Sequence, residues 1–481
     1  MNRRMIFYLL GLIIKSCAAL LLLPFIVSVI YKETSCTLAF GITIAISLLI
    51  GFTLSCFFKT SNRDIYAKEG FIIVALSWIS LSMLGALPFT LSGEIKSYVD
   101  ALFETVSGFT TTGASILTDV EALSNSLLFW RSFTHWIGGM GVLVFVMAII
   151  PTSDKSIHIM RAEMPGPIVG KLVPRAKQTA KILYLIYIVL TLILIVLLML
   201  GGMNFFESVL HAFGTAGTGG FGIKSDSLAS YSPYIQWVIT IFMFFFGINF
   251  NLFFLIMIGK IKSALKSSEL WVYCSIIFVA TLLITINILP GYQNISDAIR
   301  DSSFNIVSVI TTTGYATADF NMWPDLSKGI LFALMFVGGC AGSTAGGLKV
   351  SRIMLMFKMI KKELRHMLQP RSVSSVKFEG KNIDPVTQNS VTSYFTLFMA
   401  LYFLIFLVIS CDNFDFTSNF TAVSACLNNI GPGLGIVGPA GSFAPYSNLS
   451  KLVFSFAMLL GRLEIYPLIL ALSPTIWFKR K

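Results

Sequence analysis

Long apolar runs alternate along the chain with shorter segments rich in Gly, Thr and Ser. Four runs of at least 22 residues carry no charged side chain: Ile182–Met203, Tyr234–Gly259, Leu270–Ser296 and Gln388–Cys411. About 20 apolar residues suffice for an α-helix to cross the hydrocarbon core of a bilayer. The pattern therefore predicts an all-α polytopic membrane protein, with each of these runs long enough to cross in one helix.

Four shorter segments interrupt the apolar pattern in a similar way. Each begins with Phe, has Val three residues later, and ends in polar residues and Gly: FETVSGFTTTGAS (Phe103–Ser115), FESVLHAFGTAGTGGFG (Phe206–Gly222), FNIVSVITTTGYA (Phe304–Ala316) and FTAVSACLNNIGPG (Phe420–Gly433). Aligning them on Gly113, Gly219, Gly314 and Gly431 gives spacings of 106, 95 and 117 residues. This recurrence predicts an internal repeat of roughly a hundred residues.

The Phe-initial segments predict helices that enter the membrane and turn back. A helix of about ten residues cannot span a bilayer, and non-helical backbone at membrane depth must be covered by protein or line a wet cavity. Four copies around one axis would bring together four helix C-termini, each with roughly half a negative charge. Gly at each tip would leave carbonyl oxygens free to coordinate a cation. Small-residue helix packing would explain one such segment, but not four copies that all start with Phe.

Composition and charge fit a membrane protein. The chain is 55% hydrophobic and 12% charged, with mean hydropathy +0.80, which is too apolar for a soluble globule. Of the 35 Lys and Arg residues, 26 fall in six places that would share one side: Arg3–Arg4, Lys59–Lys68, Lys155–Lys181, Lys260–Lys266, Lys349–Lys381 and Lys479–Lys481. Such an excess marks the cytoplasmic face, so both termini are predicted to be cytoplasmic. An acidic cytosolic partner is the alternative reason for the net charge of +12.

Enzyme chemistry has little support in the sequence. GTGGFG (Gly217–Gly222) fits the dinucleotide pattern G-x-G-x-x-G, but no strand precedes it. The four His residues are far apart, and the seven Cys residues show no metal-type spacing. An intramembrane enzyme would need a Ser/His or paired-carboxylate site. His211 is the one candidate, and it more readily packs or caps a helix, so we predict a protein that is not an enzyme.

Several longer strings resemble those of bacterial Trk-type potassium uptake proteins, the TrkH/TrkG family. They are KEGF (Lys68–Phe71), GALPF (Gly85–Phe89), WIGGMG (Trp136–Gly141), RAEMPGP (Arg161–Pro167), GGCAGSTAGGLK (Gly338–Lys349), NNIGPGLG (Asn428–Gly435) and GRLEIY (Gly461–Tyr466). The resemblance covers essentially the whole chain. It implies a homodimer in the bacterial inner membrane, with four membrane–pore–membrane repeats in a pseudo-fourfold arrangement after an N-terminal transmembrane hairpin. The hairpin would occupy 1–62, and the pore repeats 63–154, 155–266, 267–366 and 367–481.

The resemblance also assigns the residues of an ion filter. Its potassium-coordinating positions would be Thr111, Thr112 and Gly113, then Gly217, Thr218 and Gly219, then Thr312, Thr313 and Gly314, and finally Asn429, Ile430 and Gly431. In the second segment the register is open between Gly219 and Gly220. Gly113 favours potassium, because Ser at this position accompanies sodium in the related plant transporters. A sodium-permeable channel and a proton-coupled symporter remain alternatives.

A glycine-rich stretch is the first gate candidate. Five Gly among the ten residues of Gly338–Gly347 should break a helix, since each costs about 1 kcal/mol relative to Ala. The resemblance implies a flexible loop obstructing the ion path, with candidate residues Gly338, Gly339, Gly342, Ser343, Thr344, Gly346 and Gly347. A close-packed helix crossing is the alternative.

Arg462 is the second gate candidate. It follows Lys451 by 11 residues, which places it about 16 Å deeper along a helix. Facing lipid there would cost at least about 2.5–3.5 kcal/mol, so the side chain should face the pore or a carboxylate. Glu464 is close in sequence, but two positions along a helix point to nearly opposite sides. We therefore favour a pore-lining charge that repels potassium in the closed state over a structural ion pair.

Regulation is expected to come from a second protein. The sequence contains no nucleotide-binding segment and predicts no tightly bound organic cofactor; the potassium ion is the transported ligand. The resemblance implies a TrkA-type cytosolic ring protein with Rossmann-type domains that binds NAD or ATP/ADP. Its predicted docking sites are the basic loops Lys155–Lys181 and Lys349–Lys381.

Overall fold

The computed structural model describes residues 2–60, 66–141, 176–371 and 375–474. The regular structure of these residues is helical apart from one two-stranded antiparallel hairpin, Lys377–Phe378 with Lys381–Asn382. The nineteen α-helices of the described residues are α1 (Arg3–Leu20), α2 (Leu22–Ile30), α3 (Thr34–Phe57), α4 (Ala67–Leu91), α5 (Tyr98–Phe109), α6 (Asn125–Gly139), α7 (Ala176–Leu200), α8 (Phe205–Gly217), α9 (Pro233–Phe246), α10 (Phe250–Met257), α11 (Ile261–Leu265), α12 (Ser268–Ile288), α13 (Ile295–Ile310), α14 (Asp325–Val337), α15 (Val350–Leu368), α16 (Pro385–Ile409), α17 (Phe416–Leu427), α18 (Asn448–Arg462) and α19 (Tyr466–Leu472).

Among the described residues, six helical segments are long and apolar enough to cross a membrane, or seven if the bent pair of α9 and α10 counts as one span. The six are Arg3–Ile30, Thr34–Phe57, Lys68–Leu91, Gln178–Leu200, Ser268–Gly291 and Pro385–Asp412. They confirm the prediction of an all-α polytopic membrane protein. The predicted basic loop Lys155–Lys181, the Arg161–Pro167 string and the tail Lys479–Lys481 lie wholly or largely outside the described residues.

The N-terminal hairpin is held by a close helix crossing. A Cβ added to Gly11 on α1 would lie 2.9 Å from the carbonyl oxygen of Gly51 on α3. A Cβ added to Gly51 would lie 3.0 Å from the carbonyl oxygen of Gly11. Small residues permit such backbone approach, which is how apolar helices gain packing energy in a lipid environment.

The expectation of one helix across Tyr234–Gly259 is wrong. Helices α9 and α10 meet at an angle of 92°. Gly247 lies at the break, where an added Cβ would come within 2.7 Å of the Thr311 Cγ2. Its carbonyl oxygen accepts a hydrogen bond from the backbone N–H of Cys340, with N and O 2.9 Å apart. The break is therefore stabilised by a distant segment, which a hydropathy pattern does not reveal.

The same order of elements occurs four times. A long helix leads to a short one, an irregular segment and a second helix: α4–α5–α6, α7–α8–α9, α12–α13–α14 and α16–α17–α18. The short helices α5, α8, α13 and α17 contain 12, 13, 16 and 12 residues. At 1.5 Å per residue they measure about 18–24 Å, less than the ~30 Å hydrocarbon core. None of the four could cross a bilayer on its own.

Candidate functional site

Each of the four short helices ends in the same hydrogen-bonded turn. A residue at the end of each helix has left-handed backbone: Thr111 (φ 55°), Thr218 (52°), Thr312 (55°) and Asn429 (55°). Thr218 is the C-cap of its helix, and the other three lie one position past the cap. The following N–H then donates to a carbonyl five residues back, at N···O distances of 2.8–2.9 Å: Thr112 to Ser107, Gly219 to Gly214, Thr313 to Ser308 and Ile430 to Ala425. These are the hydrogen bonds of a Schellman motif. They occur in all four segments.

The left-handed residues carry backbone strain. Three of them are Thr, and a β-branched side chain strongly disfavours positive φ. Such conformations cost about 1–3 kcal/mol each and persist only where surrounding contacts enforce them. The recurrence of this strain at the ends of three short helices indicates a functional requirement for the turn geometry.

Two residues after each left-handed position comes a Gly with positive φ. These are Gly113 (80°), Gly220 (74°), Gly314 (85°) and Gly431 (102°). Gly219 does not have positive φ, so the backbone of Thr218–Gly220 corresponds to that of Thr111–Gly113. We name Thr111–Gly113, Thr218–Gly220, Thr312–Gly314 and Asn429–Gly431 the first to fourth turns. Of the two registers open in the sequence, the backbone favours Gly220, one position after the Gly217–Gly219 alignment.

The four turns close into a ring. A Cβ added to the Gly of any turn would collide with a carbonyl oxygen of the next: Gly113 with Gly219, Gly220 with Thr313, Gly314 with Ile430 and Gly431 with Thr112. The order of contacts is first to second, second to third, third to fourth and fourth to first. All four Gly residues line one cavity of ≈ 360 Å³. Only Gly combines this conformation with so close an approach.

The ring has the electrostatics of a cation site. Four helices end at it, and the C-terminus of each carries a partial negative charge of roughly half an elementary charge. The carbonyl oxygens of the middle residues alternate with the Gly residues around the ring. Rings of backbone carbonyls can replace the hydration shell of an alkali ion.

The glycine-rich loop, residues 338–349, separates two helices. Helix α14 ends at Val337 and α15 begins at Val350, so the segment between them is not helical. Within it, Gly338, Gly342 and Gly347 have positive φ, and the Ser343 hydroxyl donates to the Cys340 carbonyl at 2.7 Å. The loop is attached to the α9–α10 break, because the N–H of Phe250 donates to the carbonyl of Gly342 at 3.0 Å and the Thr344 hydroxyl to that of Phe246 at 3.1 Å.

The loop also contacts two of the turns. The N–H of Gly346 donates to Oγ1 of Thr312 in the third turn at 2.6 Å. A Cβ added to Gly346 would lie 2.5 Å from the carbonyl oxygen of Asn428, next to the fourth turn. The cavity, by contrast, is lined by residues that follow the turns, such as Ser115 and Gly222. The loop and the cavity therefore lie on opposite sides of the ring.

Arg462 connects the glycine-rich loop to another helix. It is the last residue of α18, and its guanidinium donates to the carbonyl of Thr344 at 2.9 Å and to that of Gly139 at 2.7 Å. It also donates to the carbonyl of Gly138. Glu464 points elsewhere and pairs with Arg352 on α15 at 2.6 Å.

Glu269 is a loop contact that sequence reasoning missed. Its buried carboxylate accepts hydrogen bonds from the N–H of Ala341 at 2.7 Å and of Ser351 at 3.1 Å. It therefore holds both sides of the glycine-rich loop. The only hint in the sequence was that Glu269 directly precedes a long apolar run. A carboxylate in that position is more often an interfacial residue, so it did not point to the loop. His211, the enzyme candidate, lies with Nε2 3.3 Å from the hydroxyl of Tyr231.

Comparisons with known proteins agree on one family. A family model described as TrkH, cation transport protein, matches residues 37–477. The Trk system potassium uptake protein TrkH of Salmonella typhimurium is 35% identical over 486 residues, covering 99% of this chain and 100% of its own. TrkG of Escherichia coli K12 is 33% identical over 480 residues, covering 98% of each. The crystal structure of the potassium transporter TrkH from Vibrio parahaemolyticus matches with a TM-score of 0.90 at 32% identity, covering 99% of this chain and 100% of that one.

Proposed function

Because this chain belongs to the TrkH family of cation transport proteins, we propose that it is the ion-conducting subunit of a Trk-type potassium uptake system. The single observation that carries the proposal is the ring in which the Gly of each turn abuts a carbonyl of the next. Four helix C-termini and a ring of carbonyls at one point suit a dehydrated monovalent cation. The relatives named above are transporters, which fits a protein that is not an enzyme.

We propose that the four turns are the potassium filter, in a pseudo-fourfold arrangement. Oxygens of Thr111–Gly113, Thr218–Gly220, Thr312–Gly314 and Asn429–Gly431 would coordinate the ion, with Gly217 just before the second set. The cavity of ≈ 360 Å³ would be the outer vestibule through which ions reach the ring. Its position beyond the Gly residues, opposite to the glycine-rich loop, supports this assignment.

The gate in this proposal is the glycine-rich loop together with Arg462. The loop lies against the inner side of the ring through Gly346, and Arg462 fastens Thr344 to the end of α6. The guanidinium would repel potassium while these contacts hold. Opening would require the carbonyls of Thr344 and Gly139 to lose a charged donor, so the closed state is held by charge-assisted hydrogen bonds.

Control by a cytosolic TrkA-type ring protein is the regulatory part of the proposal. Helix α15 starts directly after the glycine-rich loop and lies within the basic region Lys349–Lys381, one of the two predicted docking sites. In the same region, the Glu379 carboxylate accepts from the N–H of Glu269 at 3.0 Å. A partner bound there could therefore act on the glycine-rich loop by two routes, through helix α15 and through the contact of Glu379 with Glu269. We further propose a homodimer in the inner membrane with both termini cytoplasmic.

Ion flux tests the proposal. Purified protein in liposomes, loaded with potassium, should take up rubidium, and external potassium should compete more strongly than sodium. Equal competition by sodium would favour the sodium-permeable alternative. Reversal potentials that follow the pH gradient as well as the potassium gradient would identify a proton-coupled symporter. Absence of uptake both with and without the regulatory partner would contradict the proposal.

A further inference from the structure

The segments that follow the four turns are joined to one another. We name them the outer collar, residues 114–118, 221–228, 315–321 and 433–446. Hydrogen bonds connect the collar segment of the second turn to that of the third, the third to the fourth, and the fourth to the first: Leu228 N to Ala316 O at 3.1 Å, Gly435 N to Asn321 Oδ1 at 3.0 Å and Phe443 N to Ser115 O at 2.9 Å. The connection between the first and second segments is of a different kind.

An ion pair makes that connection. Arg131 on α6 places Nε 2.5 Å from Glu104 Oε1 and donates from Nη1 to the carbonyl of Gly222 at 2.8 Å. Its guanidinium also lies 3.6 Å from the centre of the Phe221 ring. Both Gly222 and Phe221 directly follow the second turn. Arg131 is only 3% exposed, so these contacts are screened from solvent.

Glu104 links this ion pair to the collar segment of the first turn. It lies on the short helix α5, and its carboxylate accepts from the Ser115 hydroxyl at 3.0 Å and from the N–H of Ile116 at 3.1 Å. The collar segment of the fourth turn has a neutral counterpart of the Glu104 contact: Oγ1 of Thr421 accepts from the N–H of Leu434 at 2.9 Å. Ile116 and Leu434 each lie three residues after the Gly of their turn. In both collar segments, therefore, a side chain of the short helix accepts from the backbone N–H at the same position.

We propose that Arg131 is a positioning residue of the filter: paired with Glu104, it sets the spacing between the first and second turns and thereby contributes to potassium–sodium discrimination. This rests on the proposed function. Selectivity depends on the number and placement of carbonyl oxygens around the ion. Gly113 of the first turn and Gly219 of the second are in direct contact across this junction, so a small displacement of either turn changes the ring. A planar guanidinium suits the task, because it can donate to Glu104 and Gly222 at fixed directions.

Competition between ions distinguishes this role from simple stabilisation. The experiment uses the full chain in liposomes and measures rubidium uptake against external sodium for Arg131→Gln, Arg131→Lys, Glu104→Gln and the double variant Arg131→Gln/Glu104→Gln. Lys328→Gln is the matched control, since Lys328 pairs with the exposed Asp325 away from the ring. Size-exclusion profiles and melting temperatures report folding separately.

Arg131→Gln should lower the rubidium-over-sodium preference about tenfold, equivalent to about 1.4 kcal/mol, with Lys328→Gln unchanged. Arg131→Lys should lie between, because an ammonium retains the charge but not the fixed fork of donors. The double variant should be no less selective than Arg131→Gln, as expected for two residues that act as one unit.

The possible failures can be told apart. Wild-type ion preference in folded Arg131→Lys and Glu104→Gln would overturn the inference and leave the proposed function intact. If Arg131→Gln does not fold, these two milder variants decide the question. An equal loss of preference in Lys328→Gln would also overturn it. Absence of rubidium uptake by the wild-type protein would overturn the proposed function, and this inference with it.

Discussion

The backbone N–H of Gly346 donates a hydrogen bond to Oγ1 of Thr312 over 2.6 Å. One partner belongs to the glycine-rich loop and the other to the third turn of the ring. Thr312 has left-handed backbone, so its side chain is held in place by a strained turn. The contact couples the conformation of the loop to that of the ring, because neither can shift far without breaking it.

Thr312→Val tests that coupling. Val has the shape of Thr but lacks the acceptor, so the buried N–H of Gly346 would lose its partner at a cost of about 1–3 kcal/mol. We expect the loop to loosen and rubidium flux in the absence of a regulatory partner to rise. Thr396→Val on α16, where the hydroxyl donates only to the carbonyl of Thr392, is the control and should behave as wild type. Unchanged basal flux in folded Thr312→Val would count against the coupling.

Arg462→Ala should increase ion flux. The substitution removes a positive charge and the donors to Thr344 and Gly139, so both the electrostatic and the mechanical obstruction weaken. Several-fold faster rubidium uptake by the purified protein is the expected result. Arg462→Lys should have a smaller effect, because one ammonium retains the charge but fits fewer of the carbonyls. A lower or unchanged flux in well-folded Arg462→Ala would contradict the assignment.

Gly113→Ser should weaken the preference for potassium. Gly113 has φ 80°, and an added Cβ would collide with the carbonyl oxygen of Gly219, so the first and second turns must separate. The strain amounts to about 1–3 kcal/mol. Sodium competition against rubidium uptake measures the effect. Gly329→Ser on α14 is the matched control, since nothing lies within 4 Å of a Cβ there. An unaltered competition profile in Gly113→Ser would argue against this turn being part of the filter.

Glu269→Ala should also loosen the glycine-rich loop, through contacts other than the one with Thr312. The carboxylate accepts from the N–H groups of Ala341 and Ser351, and each buried donor left unpaired costs about 1–3 kcal/mol. Faster hydrogen exchange of the loop amides, together with higher basal flux, is the expected outcome. Glu269→Gln retains an acceptor oxygen and should stay close to wild type. Equal exchange rates in the Ala and Gln variants would show that these hydrogen bonds do not hold the loop.

Much of the fold could be predicted from the run lengths of apolar residues. The exception, Tyr234–Gly259, is informative: its composition suits a continuous span, yet Gly247 forms a break whose carbonyl is paired with Cys340, almost a hundred residues away. Hydropathy describes whether a side chain prefers lipid or water. It does not indicate which distant N–H will donate to a given backbone carbonyl. The break could therefore not be inferred from the local pattern.

Part of the candidate site could likewise be predicted from the sequence, and part could not. The Gly residues of the turns could be located approximately because four segments that start with Phe end in polar residues and Gly at similar spacings. The Thr and Asn positions were assigned by the family resemblance. The second turn was ambiguous, since GTGGFG offers more than one Gly in suitable positions. Only the backbone conformation separates Gly220 from Gly219.

By itself, the sequence determined that the protein is built of membrane-spanning helices with four glycine-bearing interruptions, because the length of an apolar run and the recurrence of Gly are visible in consecutive residues. The tertiary structure decided the closure of the turns into a ring, the choice of Thr344 and Gly139 as partners of Arg462, and the ion pair of Glu464 with Arg352. Those relationships join residues more than ninety positions apart. They depend on which buried donors and acceptors remain to be satisfied once all the helices have packed.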